Sequence, residues 1–213
     1  MQLDRKQLLL YAITDRACIG QRGFDQAIEE ALTGGVTMLQ LREKNLSDEE
    51  LIAEAKRIKA ICARYHVPLI VNDNYRAAIA AGADGVHVGI TDAPVTEIRK
   101  TAGDDFIIGA TAKTVEQARL AEESGADYLG VGAVFPSPTK TDALRITPAQ
   151  FREIARSVTI PAVAIGGITE QNLPELTGIG AAGFAVVSAV FAADDITARC
   201  RQLKALAAEI VSE

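Results

Sequence analysis

Eight short, near-continuously apolar runs recur along the chain: Leu8 to Thr14, Val36 to Arg42, Pro68 to Asp73, Gly85 to Gly89, Phe106 to Thr111, Tyr128 to Ala133, Ala162 to Gly167 and Gly183 to Ala189. Runs rich in Val, Ile, Leu and Ala, without polar alternation, suit parallel strands covered on both faces. Helix-like segments separate them, among them Phe24–Thr33, Asp48–Tyr65, Val115–Glu123, Pro148–Ser157 and Ile196–Val211. Asp48, followed by Leu51, Ile52, Ala55 and Ile58 at helical spacing, shows that pattern well. An alternation of this kind predicts an α/β chain with a parallel sheet.

A weak internal repeat narrows the choice of sheet. Gly34-Gly35-Val36, Gly82-Ala83-Asp84-Gly85, Gly125-Ala126-Asp127-Tyr128 and Gly180-Ala181-Ala182-Gly183 precede the second, fourth, sixth and eighth runs. There a helix must turn sharply into a strand, and glycine is the natural residue at a helix C-terminus. A signal on every second strand points to a barrel assembled from two-strand units. No Pro/Gly/Ser-rich linker divides the 213 residues, so the expectation is a single (β/α)8 TIM barrel over residues 1–213. An open doubly wound sheet is the alternative.

The apolar residues that fill such a core make up 48% of the chain, with no Trp and few aromatics. Net charge is −6, and no Lys/Arg run forms a basic tail or stripe, so nucleic acid is not expected as a partner. No run approaches the ~18 apolar residues of a membrane span. Cys18, Cys62 and Cys200 are odd in number and widely spaced, which argues against a disulfide framework and a structural zinc site. Met1–Lys6 leads into a short apolar run with no small-residue cleavage signature, so a cytoplasmic location is expected.

In a barrel of this type the chemistry sits at the carboxyl ends of the strands. The second run ends Gln40-Leu41-Arg42-Glu43-Lys44, and a period of two puts Gln40, Arg42 and Lys44 on one face, with Leu39, Leu41 and Glu43 on the other. The third run ends Asn72-Asp73, and the fourth passes through Gly89-Ile90-Thr91 to Asp92. Two carboxylates on adjacent strands suit Mg²⁺, which takes one or two carboxylates plus substrate phosphates and water. Asp92-Ala93-Pro94 also reads as a helix start. After the sixth run comes Phe135-Pro136-Ser137-Pro138-Thr139-Lys140-Thr141-Asp142, whose hydroxyls and ammonium suit a phosphate although the same residues make ordinary turns. The seventh run ends Gly166-Gly167 and the eighth Val187-Ser188, in the loops where many barrels bind phosphate. His66 is expected to be exposed, and His87, inside Val86-His87-Val88, reads as a satisfied structural histidine. No GxSxG elbow or HExxH motif is present.

Taken in order, YAITDR at Tyr11–Arg16, GGVTMLQLREKN at Gly34–Asn45, PLIVND at Pro68–Asp73, GADGVHVG at Gly82–Gly89, GADYLGVGAVFPSPTKTD at Gly125–Asp142, AIGGI and VVSA resemble the thiamine-phosphate synthase family. The resemblance implies a TIM-barrel transferase of thiamine biosynthesis that joins a hydroxymethylpyrimidine diphosphate to a thiazole phosphate and releases pyrophosphate. It implies that Gln40, Leu41, Arg42, Glu43, Lys44, Asn72, Thr111 and Lys140 surround the pyrimidine diphosphate, and that Asp73 and Asp92 hold Mg²⁺. Ser137, Pro138, Thr139, Gly167, Val187 and Ser188 would then surround the thiazole phosphate. Arg42, Lys44 and Lys140 would act catalytically by stabilising charge on the departing pyrophosphate. Thr111 stands where the family usually has Ser, and Ile90 where it often has Gln.

Two other readings stay open at this point. One is a related thiazole tautomerase, which uses a His after the fifth strand, where this chain has Lys113. The other is a protein that binds thiamine precursors without turnover. A homodimer would be ordinary for such a barrel, although no single patch in the sequence marks one.

Overall fold

The computed structural model describes residues 3–136 and 145–212. Eight strands, β1 (Leu10–Ile13), β2 (Met38–Leu41), β3 (Leu69–Asn72), β4 (Gly85–Val88), β5 (Ile107–Ala112), β6 (Tyr128–Gly132), β7 (Ala162–Ile165) and β8 (Gly183–Val186), close into a barrel in sequence order. Every neighbouring pair is parallel, and β8 returns to β1 through Tyr11↔Ala185, so the open-sheet alternative is excluded. All eight expected runs contain a strand.

Around the barrel lie α1 (Arg16–Ile19), α2 (Phe24–Thr33), α3 (Asp48–Arg64), α4 (Tyr75–Ala81), α5 (Val95–Ala102), α6 (Val115–Glu123), α7 (Pro148–Arg156), α8 (Ser188–Phe191) and α9 (Ile196–Ser212). Local chemistry starts these helices where the spacing predicts. Ser47 and Glu50 form a reciprocal capping box on α3, whose first turn holds Asp48, Glu49 and Glu50 against the positive end of the helix dipole. Leu51, Ala55, Ile58 and Cys62 then bury one face. Thr147 and Gln150 cap α7 in the same way, with Pro148 in its first turn, where a missing N–H costs no helical bond. Between β7 and β8 stands one 3-10 turn, Leu173–Leu176, with Pro174 in it.

Strand parity divides the apolar residues into two layers. Tyr11, Met38, Ile70, Ile107, Tyr128, Val163 and Ala185 pack together inside the barrel. Leu39, Leu41, Val71, Val86, Ile108, Leu129 and Phe184 join the larger core beneath the helices.

The two-strand repeat has a physical role at the amino-terminal end of the barrel. The Asp84 carboxylate accepts from Leu69 N at 2.7 Å and from the Lys59 ammonium at 2.6 Å. Asp127 does the same on the next unit, accepting from Ile108 N at 2.7 Å and Arg99 Nη2 at 2.7 Å. On the first unit Thr37 takes this part through Leu10 N, and on the last Ala182 supplies only its backbone. Each side chain therefore joins the start of an even strand to the odd strand before it. Asp84→Ala leaves the Leu69 N–H and a partly buried ammonium without this acceptor, so a loss of about 1–3 kcal/mol is expected. Urea unfolding followed by circular dichroism checks this, and an unchanged midpoint would rule out the clamp.

Candidate active site

Side chains on the inward parity of the strands emerge at the carboxyl end of the barrel. Gln40 is only 2% exposed and lies inside it, where its Nε2 donates to the Tyr11 hydroxyl at 2.6 Å. Two residues on, Arg42 is half-buried, with its backbone N–H fixed by the fully buried Thr14 hydroxyl at 2.9 Å. Lys44 is exposed, and among the described residues neither cation is ion-paired. Leu41 and Glu43 have the opposite parity. The Leu41 side chain is buried beneath the helices, so only its backbone reaches the mouth. Glu43 pairs with Arg16 Nε at 3.0 Å, which spends its charge on the rim.

At the end of β3, Asn72 Nδ2 donates to Asp73 Oδ2 at 2.6 Å. Asp73 adopts φ +61°, a left-handed conformation rare outside glycine, and its N–H reaches His87 O across the barrel wall. The backbone thereby turns the carboxylate toward Asp92. Burial, then hydrogen bonding and charge from Asp92, push the Asp73 carboxyl up to about 6, against the pull of Lys44 and Asn72. Asp92 precedes α5 instead of capping it, because Pro94 holds the cap position and Asp92 Oδ2 accepts from Gly89 N at 2.6 Å. Two carboxylates held within hydrogen-bonding reach offer the oxygen donors that a hard divalent cation takes. Beside them Ile90 is 52% exposed and brings no polar atom to the loop. No group of three or more His, Cys, Asp or Glu side chains converges among the described residues, so this pair would rely on substrate oxygens and water for its remaining ligands.

On the far side of the mouth, Gly166 O accepts from Phe135 N at 3.0 Å and Ala133 O from Ile146 N at 2.8 Å. Gly167, at φ +63°, sits against the carbonyls of Phe135 and Pro136, where any Cβ would collide with backbone. Both stems of the sixth loop are thus tied beside Gly166-Gly167. Ser137, Pro138, Thr139 and Lys140 lie outside the described residues. Val187 holds the cap position of α8 and Ser188 opens it, so the first N–H groups of this short helix, which lack intrahelical partners, lie beside the Gly167 loop in the chain's β7–β8 quarter. Thr111, half-buried at the end of β5, shares a hydrogen bond of 3.1 Å with His87 Nε2.

The arrangement collects an amide, two cations, two carboxylates and glycine-lined backbone at one end of a closed barrel. The model of the thiamine monophosphate synthase family matches residues 10–190. The chain belongs to that family. It is 44% identical over 194 residues to a thiamine-phosphate synthase of Clostridium tetani, covering 91% of this chain and 93% of the relative. Identity is also 44%, over 197 residues, to thiamine-phosphate synthase 2 of Streptococcus pneumoniae serotype 4, covering 92% and 94%. Among solved structures, thiamine phosphate pyrophosphorylase from Pyrococcus furiosus superposes with a TM-score of 0.89 at 38% identity, covering 97% of this chain and 98% of that one. The chain is accordingly a TIM-barrel transferase of thiamine biosynthesis.

Two surface clefts lie away from the mouth of the barrel. One, of 480 Å³, runs between α6 and α7 past Arg119, Arg152 and Arg156; the other, of 300 Å³, opens near Lys6, His66 and Lys204 at the amino-terminal end. Neither includes an inward strand-end residue. His66 is exposed, as expected. Sequence reading passed over Tyr11, Thr14 and Tyr128, polar residues on strands or strand ends that touch Gln40, Arg42 and His87. Their signal is the inward parity of the tyrosines combined with Gly109 and Gly130, whose missing side chains leave room for large neighbours. No helix among the described residues is long and apolar enough to cross a membrane.

Proposed function

We propose that the chain condenses an aminopyrimidine methyl diphosphate with a thiazole phosphate, forming thiamine phosphate and pyrophosphate. The observation that carries this reading is Lys44, without an ion-pair partner among the described residues, beside the Asp73/Asp92 carboxylates, with Arg42 two residues before it at the end of the same strand. Asp73 and Asp92 would hold Mg²⁺, which neutralises charge on a diphosphate when bound. Arg42 and Lys44 bind the diphosphate oxygens, and Lys140, outside the described residues, adds a third cation. As the C–O bond to the diphosphate breaks, these cations stabilise the negative charge that accumulates on the leaving group. The electron-rich aminopyrimidine supports the methylene cation left behind, and the thiazole nitrogen supplies the electron pair for the new C–N bond. No side chain has to transfer a proton in that sequence. Gly167, Ser188 and the backbone at Val187 hold the phosphate of the thiazole partner, with Ser137 and Thr139 of the sixth loop.

The tautomerase reading is disfavoured by Lys113 at the expected His position and by relatives named as synthases at 44% identity. Incubation with both substrates and Mg²⁺, followed by chromatography, separates the readings. Thiamine phosphate and pyrophosphate in equal amounts are expected. Isomerisation of a thiazole carboxylate phosphate without condensation would overturn the synthase reading, and tight binding of both precursors without product would favour a binding protein.

A further inference from the structure

The barrel interior contains a chain of polar contacts that the condensation itself does not use. Gln40 Nε2 donates to Tyr11 OH at 2.6 Å, Tyr11 OH meets Tyr128 OH at 2.8 Å, Tyr128 OH meets His87 Nδ1 at 3.1 Å, and His87 Nε2 meets Thr111 Oγ1 at 3.1 Å. The chain begins on β2, crosses the barrel through β1, β6 and β4, and ends on β5. Both of its ends are candidate substrate contacts. The middle is built for its occupants: a Cβ on Gly109 would overlap the Tyr128 ring and hydroxyl, and one on Gly130 would stand 2.9 Å from His87 Cε1. Tyr11 and Tyr128 pack edge to face with ring centroids 5.9 Å apart, and His87 lies 5.5 Å from Tyr128, so the rings hold one another in place.

Proton counting fixes the direction of such a chain. An amide N–H can only donate, so Tyr11 oxygen accepts from Gln40. Burial pushes both phenols well above their ordinary value, and each therefore keeps one proton to give. Among the described residues the buried Tyr11 hydroxyl has only Tyr128 OH left to donate to, so Tyr11 gives its proton to Tyr128; Tyr128 then gives its own to His87 Nδ1, and a neutral His87 donates from Nε2 to Thr111 Oγ1. Among the described residues this leaves Gln40 Oε1 as an acceptor at one end and the Thr111 hydroxyl proton as a donor at the other. Reversing either end requires reversing every bond between them.

We infer that Tyr11, Tyr128 and His87 are positioning residues that lock Gln40 and Thr111 in opposite hydrogen-bonding senses, so that the barrel accepts from the exocyclic amine of the pyrimidine and donates to an acceptor on the same substrate. The inference rests on the proposed pyrimidine diphosphate. In that substrate, with its diphosphate ionised, the amine is the only hydrogen-bond donor, so the acceptor at Gln40 has one possible match. Specificity then comes from atoms that never touch the substrate, because an analogue without the amine leaves the buried Gln40 oxygen unpaired.

Two measurements test it. Imidazole ¹⁵N NMR on the free protein reads the tautomer directly, since the chain has only two histidines and His66 is exposed. His87 is expected to carry its proton on Nε2, and a proton on Nδ1 would overturn the assigned direction. The second measurement compares Kd for the aminopyrimidine diphosphate and its methoxy analogue, with no thiazole present, in the wild type and in Tyr128→Phe. The wild type should prefer the amine about tenfold, the effect of one well-placed hydrogen bond. Tyr128→Phe should reduce that preference to about twofold or less while binding the methoxy compound as before. A variant that keeps the full preference, or loses affinity for both compounds equally, would show Tyr128 to be packing alone. If the wild type binds neither pyrimidine, the proposed substrate fails, whereas the NMR result still decides the direction of the chain.

Discussion

Asp73→Asn is expected to lower turnover by about 100- to 1000-fold, the usual cost of removing a group that organises charge in the transition state. The fold should survive, because Asn keeps an oxygen to accept from Asn72 Nδ2 and, like Asp, tolerates the left-handed backbone at φ +61°. Stability should move the opposite way from activity. The Asp73 carboxyl is raised from 3.8 to about 6 in the folded protein, so the folded state holds that proton more tightly than the unfolded one. Its contribution is therefore fully present below pH 3.8 and is lost as pH rises through about 6. The metal-free wild type should lose stability over that window, and the Asn variant should lose less and melt higher at pH 8. Mg²⁺ should raise the Tm of the wild type at pH 8, do less at pH 5 where a proton competes for the site, and do least in the variant. Steady-state kinetics and thermal melts at the two pH values check both halves. Wild-type turnover in the variant would remove Asp73 from the reaction.

The architecture was legible because the determinants of a parallel barrel are local. Both-sided burial makes each strand an apolar run, and the glycine turns before Val36, Gly85, Tyr128 and Gly183 mark every second one. The repeat also held a function that composition does not express. Asp84 and Asp127 look like turn residues in sequence, yet each bonds an N–H near the start of a neighbouring strand brought beside it by the fold. At the mouth, period-two parity correctly separates Gln40 from Leu41 and Glu43, because a strand end keeps the alternation of the strand. Parity does not say that Glu43 is neutralised by Arg16, since that partner comes from a helix 27 positions away in the chain's first loop. The left-handed turn at Asp73 and the polar chain behind Gln40 were invisible for a related reason. Each depends on contacts between strands that are distant in sequence, and a tyrosine in an apolar run reads simply as core.

Gly109→Ala is the sharpest test of how the interior is packed, and a loss of about 1–3 kcal/mol is expected for one added methyl in a close-packed core. The methyl would occupy space now filled by Cζ and OH of Tyr128, and it would stand 2.5 Å from His87 Nδ1. Neither ring can retreat easily: Tyr128 is fully buried against Tyr11, and His87 is bonded at both nitrogens. In a chain of this size each kcal/mol lowers Tm by about 2–4 °C, so a fall of several degrees should be measurable by calorimetry. Affinity for the aminopyrimidine should fall as well, because displaced rings no longer hold the Gln40 amide. A second substitution separates crowding from lost hydrogen bonding. Adding Tyr128→Phe to Gly109→Ala removes the hydroxyl that the methyl strikes, so the double variant should recover part of the Tm while gaining no selectivity for the amine. A single variant that melts like the wild type would mean that the barrel interior has room the close contacts at Gly109 do not allow.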